Sequence, residues 1–356
     1  CMSAHVTTDR PVRFGLVGFG AWGTHHARAI QETPGAELAM IAANSTQSLT
    51  AAASAYPHIP VTGDYTQLLA NPDIDVVDIV VPTHLHTEIA CAALQHKHHV
   101  LLEKPMASSE ADCHRILAAA DASQKLLAIG FELRMSRLWG RVHQLIQEGA
   151  IGTPQYCLIE LFRRPYRQGS AGWRYDRSRV GNWILEEPIH FFDLACWYFS
   201  QLGEPTAVQA RSSSRDPGRP LLTDNFTAIL DFPGGAWAVI SQTLAAFEHH
   251  QTVKITGTEG SLWASWSGVM DRTTTPRFFL KQGSAASGES WQVDCGGPAG
   301  EVFELQQQIA RMCAAVRGEQ PLHADGRDGL KAVRLCLAAE QAALTPQQSY
   351  TLATPH

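Results

Sequence analysis

The sequence predicts an α/β protein of two domains: a doubly wound parallel sheet, then an α/β domain built on a large, mostly antiparallel open sheet. Three observations predict it. The chain has 356 residues, more than one hydrophobic core usually serves. Its first third alternates short apolar runs with helical patterns, whereas from Gln155 strand-like segments follow one another across short turns. The first apolar run breaks into Gly18-Phe19-Gly20-Ala21-Trp22-Gly23, the glycine spacing of a turn that holds a dinucleotide.

Taken in order, residues 12–17 read as a buried strand, and Ala27, Ala29 and Ile30 mark the helix after the turn. Gly18 permits the tight bend, Gly20 lets the backbone approach a pyrophosphate, and Gly23 lets helix and strand pack closely. The helix N-terminus adds unpaired N–H groups and a positive dipole end for the phosphates. Residues 37–43 form the second strand, which ends in Asn44-Ser45-Thr46. A carboxylate there would bond the ribose 2′-hydroxyl of NAD and repel the extra phosphate of NADP. None is present, and Arg and Lys are absent from residues 29–96, so both NAD and NADP stay open.

Residues 51–55 and 64–70 lead to a strand at 74–81, apolar enough for a buried parallel sheet. It runs into Pro82-Thr83-His84-Leu85-His86, at the carboxyl edge where such sheets bind ligands. His84, His86, Glu88 and Cys91 match no common metal-ligand spacing, and no metal site is expected. The histidine-rich residues 95–99 read as a solvated turn. A strand at 100–102 delivers Glu103-Lys104-Pro105. A lysine at that edge can face a nicotinamide and its substrate; a surface ion pair beside a turn is the alternative. A helix at 109–120 and a strand at 126–131 close the first domain, giving domains 1–131 and 132–356.

Glu132-Leu133-Arg134 enters the second domain, and a helix follows at 138–149. Strands are expected at 156–162, 207–211, 225–232, 237–242, 252–256 and 261–266, with helices covering one face of their sheet. A helix at 189–199 lies between the first two strands, helices at 302–316 and 329–343 close the chain, and 283–290 reads as a flexible loop. Arg163, Arg164, Arg167, Trp173, Arg174 and Tyr175 form a basic-aromatic stretch. Aromatic faces suit sugars and arginines suit anions.

A formal charge of −6 and a pI near 6.2 leave no electrostatic footprint for nucleic acid. No apolar run approaches the ~20 residues that span a bilayer. Cys1-Met2-Ser3-Ala4-His5 lacks a basic start with an apolar core, so no secretory leader is expected. The eight cysteines include no Cys-x-x-Cys pair, and Cys91, Cys113, Cys196 and Cys336 sit among apolar neighbours. A reducing cytoplasm is the expected compartment.

The order of motifs resembles the glucose–fructose oxidoreductase / inositol dehydrogenase / rhizopine-catabolism (Gfo/Idh/MocA) family. The matching residues are Gly18-x-Gly20-x-x-Gly23, Pro82-Thr83-x-x-His86, Glu103-Lys104-Pro105, Gly130-Phe131-x-x-Arg134, Gly149-x-Ile151-Gly152, Gly172-Trp173-Arg174, Gly257-x-Glu259-Gly260-Ser261 and Asp328-Gly329-Leu330. They run over nearly the whole chain. The resemblance implies a Rossmann domain, an open-sheet domain that often supports homodimers or homotetramers, and NAD(P)-dependent interconversion of alcohol and ketone on a sugar, cyclitol or related polyol. Its lysine maps to Lys104. Its Asp-x-Gly-x-His signature maps to Glu186-Glu187-Pro188-Ile189-His190, with Val180-Gly181-Asn182 where the family often has three glycines.

On this resemblance His190 is the expected general base, Glu186 its orienting partner and Lys104 the donor to the substrate oxygen. Histidine suits proton removal near neutral pH. The expected cofactor contacts are Gly18, Phe19, Gly20, Ala21, Trp22, Gly23, Asn44, Ser45, Thr46, Pro82, Thr83, His86, Glu103 and Lys104. Arg134, Trp173, Arg174 and Glu187 join Lys104 and His190 as substrate contacts. Two further readings, an NAD-dependent glycoside hydrolase with transient oxidation and a non-catalytic dinucleotide-binding regulator, stand beside the oxidoreductase.

Overall fold

In the computed structural model, residues 10–345 are described; the residues 1–5 read for a leader lie outside them. The apolar runs become a six-stranded sheet. Its strands are β1 (Val12–Val17), β2 (Ala36–Ala42), β3 (Val61–Thr62), β4 (Val76–Ile79), β5 (His99–Glu103) and β6 (Leu127–Gly130). All its pairings are parallel, in the order β3-β2-β1-β4-β5-β6. The strand order reverses between β1 and β4, the place where doubly wound sheets open a crevice.

The intervening helices are α1 (Gly23–Glu32), α2 (Thr46–Ala55), α3 (Tyr65–Leu69), α4 (His86–Gln95) and α5 (Glu110–Ser123). Side-chain oxygens of Ser45, Asp64 and Ser109 cap α2, α3 and α5, each satisfying a backbone donor the helix leaves open.

The second sheet has eight strands. They are β7 (Pro154–Arg163), β8 (Ala207–Ser213), β9 (Asn225–Asp231), β10 (Trp237–Thr243), β11 (His249–Gly257), β12 (Gly260–Gly268), β13 (Arg277–Ser284) and β14 (Ser290–Gln292). The order is β14-β13-β12-β11-β7-β10-β9-β8. Only β7 and β10 pair in parallel. On β7 the inward Cys157, Ile159 and Leu161 are buried, while Phe162 faces outward, the period-2 pattern of a one-sided sheet.

The helices here are α6 (Trp139–Gln147), α7 (Arg177–Val180), α8 (Pro188–Tyr198), α9 (Glu301–Val316) and α10 (Gly326–Leu344). Helix α8, apolar nearly all round, packs against β7, β10, α6 and α10. Helix α9 crosses back to the first sheet: Leu305, Ile309 and Met312 join Val12, Phe14, Leu16 and Ile30 in one core cluster.

Three expectations change. The segment 283–290 is the tip of the β13–β14 hairpin, closed by Ser284 N–H on the Glu289 carbonyl at 3.0 Å. Its polar residues carry no period-2 signal. The short β3 also lacked one. Within the presumed solvated turn, His98 is buried, its ring nitrogens 2.8 Å from the Ile74 and Leu69 carbonyls. Among the described residues seven cysteines are free, and no helix is long and apolar enough to cross a membrane.

One buried charge network ties the first domain together. His26 of α1 lies 2.8 Å from Asp78 on β4 and 3.0 Å from Glu103 on β5, and its side chain is wholly inaccessible. Burial opposes the imidazolium, but the two carboxylates outweigh it and raise the His26 pKa to about 10. Removing one partner of such a pair costs about 3–5 kcal/mol. His26→Ala is therefore expected to lower unfolding free energy by that order in urea titrations at pH 6. Because the folded-state pKa is raised, this contribution is complete below the ordinary value of 6.5 and is lost as pH rises through about 10. The gap between wild type and variant should narrow over that window, and a constant gap would contradict the assignment.

Candidate active site

The glycine-rich turn divides its three glycines as a bound dinucleotide requires. Gly18 has φ +106°, and a Cβ there would lie 2.1 Å from the Val80 carbonyl oxygen. A Cβ on Gly23 would lie 2.1 Å from the Gly18 carbonyl oxygen, whereas one on Gly20 meets nothing within 4 Å. Two glycines serve packing, and the third leaves open space above the backbone. Trp22 precedes α1, and the Arg272 guanidinium stacks 5.0 Å over its ring while donating to the Ala21 carbonyl at 3.0 Å. Arg272 lies between β12 and β13, so the second domain reaches the nucleotide turn. No sequence motif announced it.

The other expected cofactor residues separate by role. Asn44 is exposed at the end of β2, next to the α2 start where Ser45 accepts from Ser48 N–H at 3.1 Å and Thr46 opens the helix. Pro82 leads into Thr83, whose hydroxyl is buried without a partner among the described residues. That orphaned group and the open face at Gly20 fit a dinucleotide along the carboxyl edge. Two residues are spoken for instead. Phe19 is buried, edge-on to Tyr56 at 6.0 Å. His86 is buried with its nitrogens 2.8 Å from the Pro105 and Val81 carbonyls, so it pins two loops together.

Glu103 gives one oxygen to His26, and its other accepts the Lys104 backbone N–H at 3.2 Å. The two-sided grip aims the chain as it leaves β5. Gly130 is required beside it, since a Cβ there would lie 2.8 Å from the Glu103 carboxylate. The Lys104 ammonium crosses to the second domain and donates to the backbone carbonyl of Glu186.

His190 is the third residue of α8 and is buried. Its ring stands edge-on to Phe131 at 5.9 Å. Burial, reinforced by the Lys104 charge, holds its pKa well below the usual histidine range. The expected partner differs. The Glu186 carboxylate accepts from Arg174 Nε at 2.6 Å, whereas Glu132 Oε1 lies 3.5 Å from His190 Nε2. Glu132 is itself buried, and burial together with the nearby Glu103 raises its pKa well above the carboxylate range.

Glu187 pairs with Arg163 and lies 3.2 Å from His249 Nε2. Glu187, His249 and Glu301 place ligand-type atoms within 4.8 Å of one another. Arg163 on Glu187 and the Gln251 amide, 2.9 Å from His249 Nε2, already engage that group. Burial, then Asp271 and Glu187, raise the Glu301 pKa well above its usual range.

Two expected substrate contacts are structural. Arg134 is nearly inaccessible, bidentate to Asp193 at 2.6 and 2.8 Å, and it also donates to Asp328 at 3.1 Å and the His323 carbonyl at 3.0 Å. Its fork is consumed joining α8 to α10. Trp173 is buried in a satellite cluster with Tyr166, Val180, Trp183, Leu222 and Leu244, under the Arg174 guanidinium at 4.7 Å.

Sequence reasoning passed over Glu132, His249, Asp271, Arg272 and Glu301. Glu132 had a readable signal, its place just past β6 at the sheet's carboxyl edge. The others come from alternation within β11, an irregular connection and a helix start, none of which marks chemistry.

Known proteins bear on this geometry. The profile described as oxidoreductase family, NAD-binding Rossmann fold, matches residues 12–131, and that of the GFO/IDH/MocA C-terminal domain matches residues 139–263. The chain is 28% identical over 344 residues to the uncharacterized oxidoreductase YrbE of Bacillus subtilis, covering 92% of this chain and 93% of that one. It is 28% identical over 288 residues to a levoglucosan dehydrogenase of Pseudarthrobacter phenanthrenivorans, covering 70% and 72%. A solved levoglucosan dehydrogenase in complex with NADH and levoglucosan shares the fold, with a TM-score of 0.77, 22% identity and coverage of 94% and 97%. With an NAD-binding Rossmann domain and the matching C-terminal domain both in place, this chain belongs to the GFO/IDH/MocA oxidoreductase family.

Proposed function

We propose that this chain is an NAD(P)-dependent dehydrogenase or reductase that interconverts a secondary alcohol and a ketone on a sugar, cyclitol or related polyol. The observation that carries this reading is the meeting of Lys104 and the α8 start across two domains: the ammonium donates to the Glu186 carbonyl, four residues before His190. When bound, the nicotinamide accepts or supplies the hydride. Lys104 holds the substrate oxygen, and His190, kept neutral by burial, takes the hydroxyl proton during oxidation and returns it during reduction.

The substrate is uncharged in this reading. Arg163 and Arg174 are paired with Glu187 and Glu186, Arg134 with Asp193, and Arg272 is stacked on Trp22. These guanidiniums already have partners, which reduces their pull on a carboxylate or phosphate of the substrate. A polyol hydroxyl instead meets buried acceptors. The levoglucosan and NADH held by a relative of the same fold support a carbohydrate alcohol.

The reading extends to a homodimer or homotetramer in a reducing cytoplasm. Phe162, Trp237 and Trp263 are partly exposed on the second sheet, an aromatic face suited to a second copy, and the free cysteines fit the compartment.

Screening neutral sugars, cyclitols and sugar acids with NAD and NADP tests the reading. Neutral polyols should turn over with stoichiometric NAD(P)H, and sugar acids should be poorer. Glycoside cleavage without net NADH would identify the hydrolase, and cofactor binding without turnover the regulator. Asn44, with no basic neighbour from 29 to 96, predicts only modest discrimination between the cofactors. Asn44→Asp should move kcat/KM toward NAD by opposing the 2′-phosphate.

On the substrate found, His190→Ala should lower kcat by roughly 10²–10⁴-fold and leave cofactor affinity nearly unchanged. Lys104→Met should depress kcat and raise KM. A folded His190→Ala enzyme with near-normal kcat would end this mechanism.

A further inference from the structure

We infer that Glu132, not Glu186, is the carboxylate that positions His190. The inference rests on His190 as the proton-transfer group, and it assigns that residue a partner from a different element, the segment just past β6.

Three geometric facts carry it. Glu132 Oε1 is 3.5 Å from His190 Nε2, with both side chains almost wholly inaccessible. The carboxylate expected from the helix motif is turned away: Glu186 bonds Arg174 at 2.6 Å, and its backbone carbonyl takes the Lys104 ammonium. Finally, His190 Nδ1 and Glu132 Oε2 are buried with no partner among the described residues. A buried polar atom left open is costly, and each of these is a contact reserved for something else.

The chemistry follows from the tautomer. A ring whose Nε2–H points at a carboxylate keeps its Nδ1 lone pair free. In oxidation a bound nicotinamide would take the substrate C–H electron pair as hydride, and the hydroxyl O–H bond breaks as its proton passes to Nδ1. The imidazolium formed keeps its Nε2–H toward Glu132 Oε1, 3.5 Å away, an oxygen that accepts whether or not the acid is ionised. Reduction reverses each transfer.

Placement explains why Glu132 can serve. It follows Phe131, whose ring packs edge-on to His190, so one short segment after β6 supplies both the wall and the carboxylate. The charged groups facing the pair are Glu103 at the end of β5, Lys104 just beyond it, and Glu301 and Glu304 at the start of α9. The Gly300 N–H donates to Glu304 Oε1 at 3.1 Å. The cations and acids around the pair therefore come from elements other than α8, and Glu132 is the carboxylate that meets the ring.

The test needs no substrate. In the full-length chain labelled at histidine ring nitrogens, His190 is assigned by the signal lost in His190→Asn. Wild type should show the Nε2–H tautomer at neutral pH. Glu132→Leu, which removes the acceptor oxygen, should mix the tautomers, whereas Glu132→Gln, which keeps an acceptor where the protonated acid has its carbonyl oxygen, should largely preserve them. Glu132→Asp should restore much of the wild-type signature. Glu186→Gln should leave both tautomer and midpoint in place.

The inference is overturned if Glu132→Leu leaves the His190 signals unchanged, or if Glu186→Gln shifts them. Should Glu132→Leu fail to fold, the Glu186→Gln spectrum still decides. A positioned ring with normal turnover in His190→Ala would instead remove the catalytic reading and spare the pairing.

Discussion

The imidazolium of His26, wedged between Asp78 and Glu103 in the interior of the parallel sheet, is the interaction on which the site depends. It joins the helix after the nucleotide turn to the ends of two strands. Glu103 cannot swing, because His26 holds one oxygen and the Lys104 backbone the other. The direction in which the chain leaves β5, and hence where the lysine points, is set by a charge that never sees solvent. Burying three titratable groups is expensive unless each is paired. The pairing is what makes a rigid platform from groups that would otherwise destabilise the core.

The same logic governs the second domain's side of the cleft. Arg163–Glu187 and Arg174–Glu186 are ion pairs within what the sequence presents as a basic-aromatic stretch, and Arg134–Asp193 is another beside α8. In water an arginine cluster attracts anions. Here Arg163 and Arg174 have their carboxylates before any ligand arrives, and that part of the stretch becomes scaffold. What remains uncompensated is acidic: burial raises the pKa of both Glu132 and Glu301, with Glu103 adding to it at the first and Asp271 and Glu187 at the second.

Much of the fold was legible because its signals are local. Apolar runs ending in glycine and alternating strands mark β1 and β7 directly, and the helical pattern at 109–120 marks α5, whereas the pattern at 51–55 caught only the second half of α2. The hairpin of β13 and β14 was not, since Phe278, Phe279 and Leu280 stand in a row instead of alternating and the residues after them are polar. The candidate site was legible in part. Lys104, His190 and the three glycines occupy positions that a strand edge, a helix start and a tight turn dictate. Side-chain pairing was not legible. Nothing in the order Glu186-Glu187-Pro188-Ile189-His190 tells that the first acid turns to Arg174 and the second to Arg163. Residues four apart on a helix are neighbours, and that expectation fails because Glu186 precedes the helix.

Pro188 clarifies why the departure is tolerated. It occupies the first position of α8, where a missing N–H costs nothing because that donor would be unpaired anyway. Glu186 and Glu187 are thereby placed in the approach to the helix, with backbone carbonyls free to face the cleft. The Glu186 carbonyl accepts from Lys104, and the Glu187 carbonyl accepts the His190 backbone N–H at 3.0 Å. One chain of contacts then runs from α1 through His26, Glu103 and Lys104 to the segment that launches His190. The helix-start acids pair with arginines of their own domain, the Glu186 carbonyl ties that domain to Lys104, and the carboxyl group facing the ring comes from the segment after β6.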